Sequence, residues 1–207
     1  MSFFSEGSDL KYFKLGDVCE VCTGVDFKSC SYRDSGFPII KVRNIQDGQI
    51  VTDSLNYCDP ESYRDAEIVK YGDVVMARAG SSGKVGINLL DQEFFFDGNL
   101  FKFIPNTEML IGRYLYHFLL SRQEEIQSLV KGSTIPVIRK SALEKLRIPI
   151  PSLEVQESIA QTLDKFREIE REIEREIERE ISLRDKQYEY YRNYLISGMS
   201  KKSSSKS

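Results

Sequence analysis

The 207 residues carry 29 Lys and Arg against 32 Asp and Glu, a formal net charge of −3, and 41% of them are apolar. That is enough for one globular domain with a core plus an appendage. No apolar run approaches the ~18 residues of a membrane span, and the opening MSFFSEGSDLKYF lacks the basic-then-apolar layout of a signal peptide. Four cysteines and a single histidine suit a reducing compartment, so the chain reads as cytoplasmic, with no membrane partner.

Early in the chain, LGDVCEVCTG sets Cys19 and Cys22 among aliphatic positions. Cys30 and Cys58 follow at spacings that match no common zinc module, so the thiols read as buried small hydrophobes and no metal site is expected. FPIIKVRNI, GDVVMARAG, KVGINLL and NLFKFIP are short apolar runs rich in Val, Ile or Phe, most of them bounded by Gly or Asp, and suit strands. In EMLIGRYLYHFLLSRQEEIQSLV, residues such as Leu115, Phe118, Leu119, Ile126 and Leu129 recur at helical spacing. Strands followed by helices without regular alternation predict an α+β fold, a globular mixed α/β domain over residues 1–152.

GSSGK, residues 80–84, sits between two of the expected strands. A phosphate-binding loop of the nucleotide type needs Gly four residues before its GK pair and Ser or Thr after it. Arg78 and Val85 stand there instead, which rules against a nucleotide. A turn rich in backbone N–H groups and flanked by Arg78 and Lys84 could still approach a DNA phosphate, or be a plain turn between strands. Enzyme signatures are otherwise thin. His117 lies in an apolar helical run, and Asp26 with Lys28 lacks the upstream acid of a nuclease. No catalytic residues are assigned. Between residues 131 and 147, five basic residues (Lys131, Arg139, Lys140, Lys145, Arg147) face one acid, Glu144, and local positive charge is what a nucleic-acid patch requires.

IPIPSLEVQESI comes next. Its prolines force an extended entry, Ser152 is positioned as an N-cap, Glu154 adds acid to the first turn, and Gly198 reads as the stop. Residues 153–198 contain neither Pro nor any Gly before 198, and at 1.5 Å per residue they predict a helix of roughly 65 Å. Residues 199–207 are serine-rich and polar and read as a disordered tail. Within the helix, REIE repeats from residue 167 to 181. A four-residue word stacks like charges at i,i+4, such as Arg171 over Arg175, and only i,i+3 pairs offset that cost. The word also advances its isoleucines by about 40° per step, so the stripe from Ile159 through Leu163 and Phe166 to Tyr191 calls for a nearly straight helical neighbour. The repeat specifies length, about 6 Å per word, and the segment reads as a partnered spacer.

Taken in order, LGDV (15–18), GFPIIKVRNI (36–45), GDVVMARAGSSGKVG (72–86), YLYHFL (114–119), KGST–IP (131–136), LRIPIPSLEVQESIA (146–160) and the long helix resemble one half of the specificity subunit of type I restriction–modification systems. The resemblance covers nearly the whole chain. It implies a target recognition domain followed by a helix that forms an antiparallel coiled coil and acts as a ruler between two half-sites. Most members carry two such units, whereas this sequence has one. On that resemblance it reads as a natural half-subunit, a gene fragment or a truncated form, and these alternatives stay open. The implied partners are double-stranded DNA, modification (methyltransferase) subunits, a restriction subunit where one exists, and a second copy or another half-subunit. S-adenosylmethionine and ATP belong to the partner subunits, and no cofactor is expected on this chain. The remaining readings are a stand-alone enzyme, which the missing motifs disfavour, and a coiled-coil adaptor or degenerate half-subunit without DNA binding.

Since recognition domains differ most where they touch DNA, the DNA-contact candidates come from side-chain chemistry. They are Lys41, Arg43, Asn44, Arg78, Ser81, Ser82, Lys84, Ser133, Thr134, Arg139 and Lys140. The expected dimer seam is Leu163, Phe166, Ile173, Ile177 and Tyr191.

Overall fold

The computed structural model describes residues 10–28, 32–132 and 136–203, with side chains through 197. Strand β1 (Lys11–Lys14) leads into a single helical turn, α1 (Leu15–Val18), and then β2 (Cys19–Thr23). Strands β3 (Phe37–Ile40), β4 (Ile45–Gln46), β5 (Gln49–Ile50) and β6 (Asn56–Cys58) follow, then β7 (Val74–Ala77), β8 (Val85–Ile87), β9 (Phe95–Phe96) and β10 (Leu100–Pro105). The helices α2 (Gly112–Ser121) and α3 (Gln123–Ser128) precede β11 (Val130–Lys131), β12 (Val137–Ile138), α4 (Lys140–Leu143) and β13 (Arg147–Ile150). The last element is α5 (Leu153–Ser203). Every expected strand forms and the fold is α+β with a long C-terminal helix, as read from the sequence.

A six-stranded sheet in the order β2-β10-β7-β8-β5-β4 is the centre of the domain. Its middle strand β7 reads VVMA and is buried throughout. Strand alternation explains why both of its faces are apolar. Val74 and Met76 join Phe101, Phe103, Leu115 and Leu119 in one core, while Val75 and Ala77 join Ile40, Phe96 and Leu100 in another. The first core lies under α2, and the second faces the three-stranded sheet β6-β3-β9.

The same alternation settles the cysteines. Cys19 lies in the first core and Cys22 packs against the second, so one strand points the two thiols to opposite faces and they cannot share a metal. Burial pushes the Cys19 thiol up to about 12, and the Cys22 and Cys58 thiols upward as well. All three remain protonated, uncharged packing groups. Cys30 lies outside the described residues.

Three local expectations are corrected. The run FPIIKVRNI leaves strand geometry after Ile40, because residues 42–44 form a 3₁₀ turn. The single helix expected through EMLIGRYLYHFLLSRQEEIQSLV is two, divided at Arg122, whose φ of −107° and ψ of 23° break the ladder. Helix α5 continues through Gly198 to Ser203. Glycine in a helix costs roughly 1 kcal/mol relative to Ala, yet ends it only where the chain turns left-handed.

The chain divides into two units, Met1–Ala160 and Gln161–Ser207. The first two turns of α5 therefore belong to the domain. Ser152 Oγ accepts from Val155 N–H at 3.4 Å, the N-cap expected from the sequence. Strand β13, just before it, pairs antiparallel with β1, so both ends of the domain meet in one ribbon. Along the second unit the described side chains are largely exposed, and the repeat makes the ion pairs its spacing allows: Glu176 with Arg179 at i,i+3 (3.8 Å), and beyond it Glu180 with Arg184 at i,i+4 (2.8 Å). Among the described residues, no helix is long and apolar enough to cross a membrane.

Candidate nucleic-acid interface

The β7–β8 connection carries the GSSGK turn. Ala77 N–H donates to Lys84 C=O (2.8 Å) and Gly83 N–H to Ala77 C=O (2.7 Å), which closes the hairpin. Gly80 and Gly83 take φ of +75° and +88°, the left-handed region where a side chain is strained. A Cβ at Gly83 would also press on Gln127 and Ile126. The turn is sewn to distant segments. Gln127 Nε2 donates to Ser82 C=O (2.7 Å), and Ile138 N–H donates to Arg78 C=O (2.8 Å). Ser82 Oγ lies 3.1 Å from Arg78 C=O and 3.0 Å from Pro136 C=O, and donates its one proton to either. Residues 78–84 thus share a surface with α3 and β12, and through the β11–β12 pairing with β11.

Two adjoining depressions result, divided by β11. One, of about 420 Å³, is lined by Gly80, Ser81, Ser82, Lys84, Gln123, Gln127, Val130 and Pro136. The other, of about 350 Å³, is lined by Ser128, Leu129, Lys131, Arg139, Ser141, Ala142 and Lys145. Lys84, Lys131, Arg139 and Lys145 are exposed, and none forms an ion pair with another described residue. Four unneutralised cations and short polar side chains around a concave surface suit a polyanion.

The candidates from sequence divide accordingly. Ser81, Lys84 and Arg139 stand at the depressions, exposed. Lys140 is exposed but pairs with Glu144 at 3.7 Å. Arg78 is half-buried, its guanidinium 5.5 Å from the Phe101 ring centroid and its Nη1 3.4 Å from Gly98 C=O. Lys41 is half-buried against Tyr32, donating to its hydroxyl at 2.7 Å. Arg43 is exposed, with Nη2 on Ser54 C=O (2.6 Å) and Asn56 Oδ1 (2.7 Å).

Two candidates are corrected. Asn44 is wholly buried. Its Oδ1 accepts from Lys41 N–H, and its Nδ2 donates to Val51 C=O and Asp53 C=O, so the side chain organises a loop and has nothing left for DNA. Ser82 is buried with its hydroxyl on backbone carbonyls; it fastens the turn and is not presented to a phosphate. Ser133 and Thr134 lie outside the described residues. Sequence reasoning missed Gln123 and Gln127, whose i,i+4 spacing on the polar face of α3 was the available signal. It counted Lys131 and Lys145 as basic without placing them in the site.

Residues 7–182 match the family described as Type I restriction modification DNA specificity domain, and the chain belongs to that family. It is 29% identical over 165 residues to the type I restriction enzyme MjaVIII specificity subunit of Methanocaldococcus jannaschii, covering 75% of this chain and 39% of that protein. It is 38% identical over 96 residues to the EcoR124I/EcoR124II specificity subunit of Escherichia coli, covering 45% of this chain and 24% of the relative. The crystal structure of the HsdS subunit from Thermoanaerobacter tengcongensis shares the fold, with a TM-score of 0.62 at 21% identity over 79% of this chain and 39% of the other. The chain thus spans well under half the length of these relatives.

Proposed function

We propose that this chain is a DNA-specificity element of a type I restriction–modification system. It recognises one half-site of a bipartite duplex target and docks modification subunits, and a restriction subunit where the system has one. It is non-catalytic, and S-adenosylmethionine and ATP are held by those partners. It works in the cytoplasm, paired through α5 with a second copy of itself or with another half-subunit.

The observation that carries this reading is the arc of Lys84, Lys131, Arg139 and Lys145 around two adjoining depressions, on a chain of the specificity family. These cations neutralise backbone phosphates and fix the domain's register on the duplex, while Ser81 at the turn adds a hydroxyl donor. Binding to short duplex DNA should therefore weaken steeply with salt. Changing Lys84 and Arg139 together to Ala should weaken binding to all sequences alike and flatten the slope of log K against log salt by about two, one per lost phosphate contact. Fluorescence anisotropy over a salt series measures this, and an unchanged slope would remove the depressions from the interface.

A further inference from the structure

A ruler needs a fixed zero as well as a length, and the zero of this one lies where α5 begins. Gln156, in the first turn of α5, is completely buried. Its Oε1 accepts from Ile111 N–H at 3.0 Å, and its Nε2 donates to Met109 C=O at 2.8 Å and to Pro151 C=O at 3.0 Å. Three pieces of chain therefore meet at one carboxamide: the lead-in to α2, the exit from β13 and the root of α5. Two donors and an acceptor on one planar group match one backbone N–H and two backbone C=O groups, each of which would be costly to bury unpaired. Glutamate would lack the donors and bury a charge; an aliphatic residue would leave all three groups orphaned.

The surroundings reinforce the clamp. Ala160, one turn further on, is also fully buried, and Ile159 packs against the main core. Glu157 pairs with Arg113 of α2 at 3.7 Å, and Tyr114 Oη donates to Pro149 C=O at 3.0 Å on the strand that delivers the helix. The need for such a clamp comes from leverage. On a helix of 51 residues, roughly 76 Å long, a tilt of about 2.6° at the root moves the far end by about 3.4 Å, the rise of one DNA base pair.

We infer that Gln156 is a positioning residue for target selection, holding the root of α5 so that a single gap length between half-sites is accepted. This rests on the reading of the chain as a specificity element with α5 as spacer. Gln156 touches no DNA, and its loss leaves the half-site sequence unchanged.

The test uses the full chain co-expressed with its modification subunit. The wild-type motif is first obtained by sequencing methylated DNA. A plasmid library then carries its half-sites at gaps varied one base pair at a time, and methylation at each gap is compared for wild type and Gln156→Met. Wild type should modify one gap. Gln156→Met should keep the half-sites and modify at least one neighbouring gap to within tenfold of the original. If Gln156→Met proves unfolded by circular dichroism, Gln156→Asn, which keeps the carboxamide but falls short of its partners, is judged by the same criterion. A folded variant that keeps the single gap, or that loses methylation equally at every gap, overturns the inference while leaving the specificity reading standing. A wild type that yields no bipartite motif removes that reading, and the inference with it.

Discussion

With Ile173→Asp and Ile177→Asp combined, the protein should scatter light as a monomer near its chain mass of 23.9 kDa, where the unaltered protein should run at about 48 kDa, twice 23.9 kDa. The expectation comes from what the single chain leaves uncovered. Phe166, Ile173, Ile177 and Tyr191 are 64%, 55%, 53% and 54% exposed, and Leu163, Ile181, Tyr188 and Leu195 are exposed with them. At about 100° per residue these eight fall within a sector of roughly 80°, and the exposed Ile169, Leu183, Tyr190 and Tyr194 widen the apolar face to about half of the helix. So long an exposed apolar stripe marks an interaction surface. Burying an isoleucine is worth about 1.5–3 kcal/mol. With Ile173 and Ile177 at 55% and 53% exposure in the single chain, pairing buries about half of each, so two substitutions in each copy remove about 3–6 kcal/mol from a symmetric pair, a large part of the roughly 8 kcal/mol that holds a micromolar dimer. The added charges would also lack partners at the seam. An unaltered chain that is monomeric at micromolar concentration would sink the paired-helix reading.

The second large effect concerns length. Deleting residues 171–174, one REIE word, should shorten α5 by about 6 Å and turn the remainder of the helix by roughly 400°, a net 40°. The seam shifts but survives, because the later isoleucines already advance by that step. The proposed recognition unit, Met1–Ala160, is untouched, so the half-site should keep its sequence. The gap should shrink by one or two base pairs, since 6 Å is just under two steps of about 3.4 Å. Sequencing of DNA methylated by the deletion variant with its modification subunit reads both quantities at once. Retention of the original gap would return the repeat to a solvated helix of no metric importance.

Much of this was legible in the sequence because it is local. The Ser152 cap, the strands around GSSGK and the helical run through the REIE words depend on neighbours a few positions apart. What local pattern could not supply was direction. Asn44 and Ser82 are polar and follow or interrupt strands, which made them natural DNA contacts; both turn inward, and their hydrogen bonds organise the backbone. Gln156 sits in an ordinary amphipathic opening, PSLEVQESIA, and only the folded chain brings Met109 and Ile111 to it. The depressions were equally hidden, since Ser82 and Pro136 stand 54 positions apart. Gly198 misled because a glycine marks a helix end only in company with left-handed backbone.

Whether this chain dictates a half-site can be read by sequencing the DNA methylated when it is expressed with its modification subunit. Identical recognition domains at the two ends of an antiparallel pair must read inverted copies of one half-site. One reproducible motif of two inverted half-sites across a constant gap is expected, present only when this chain is present. Methylation with no motif, or the same motif when this chain is left out, would contradict it.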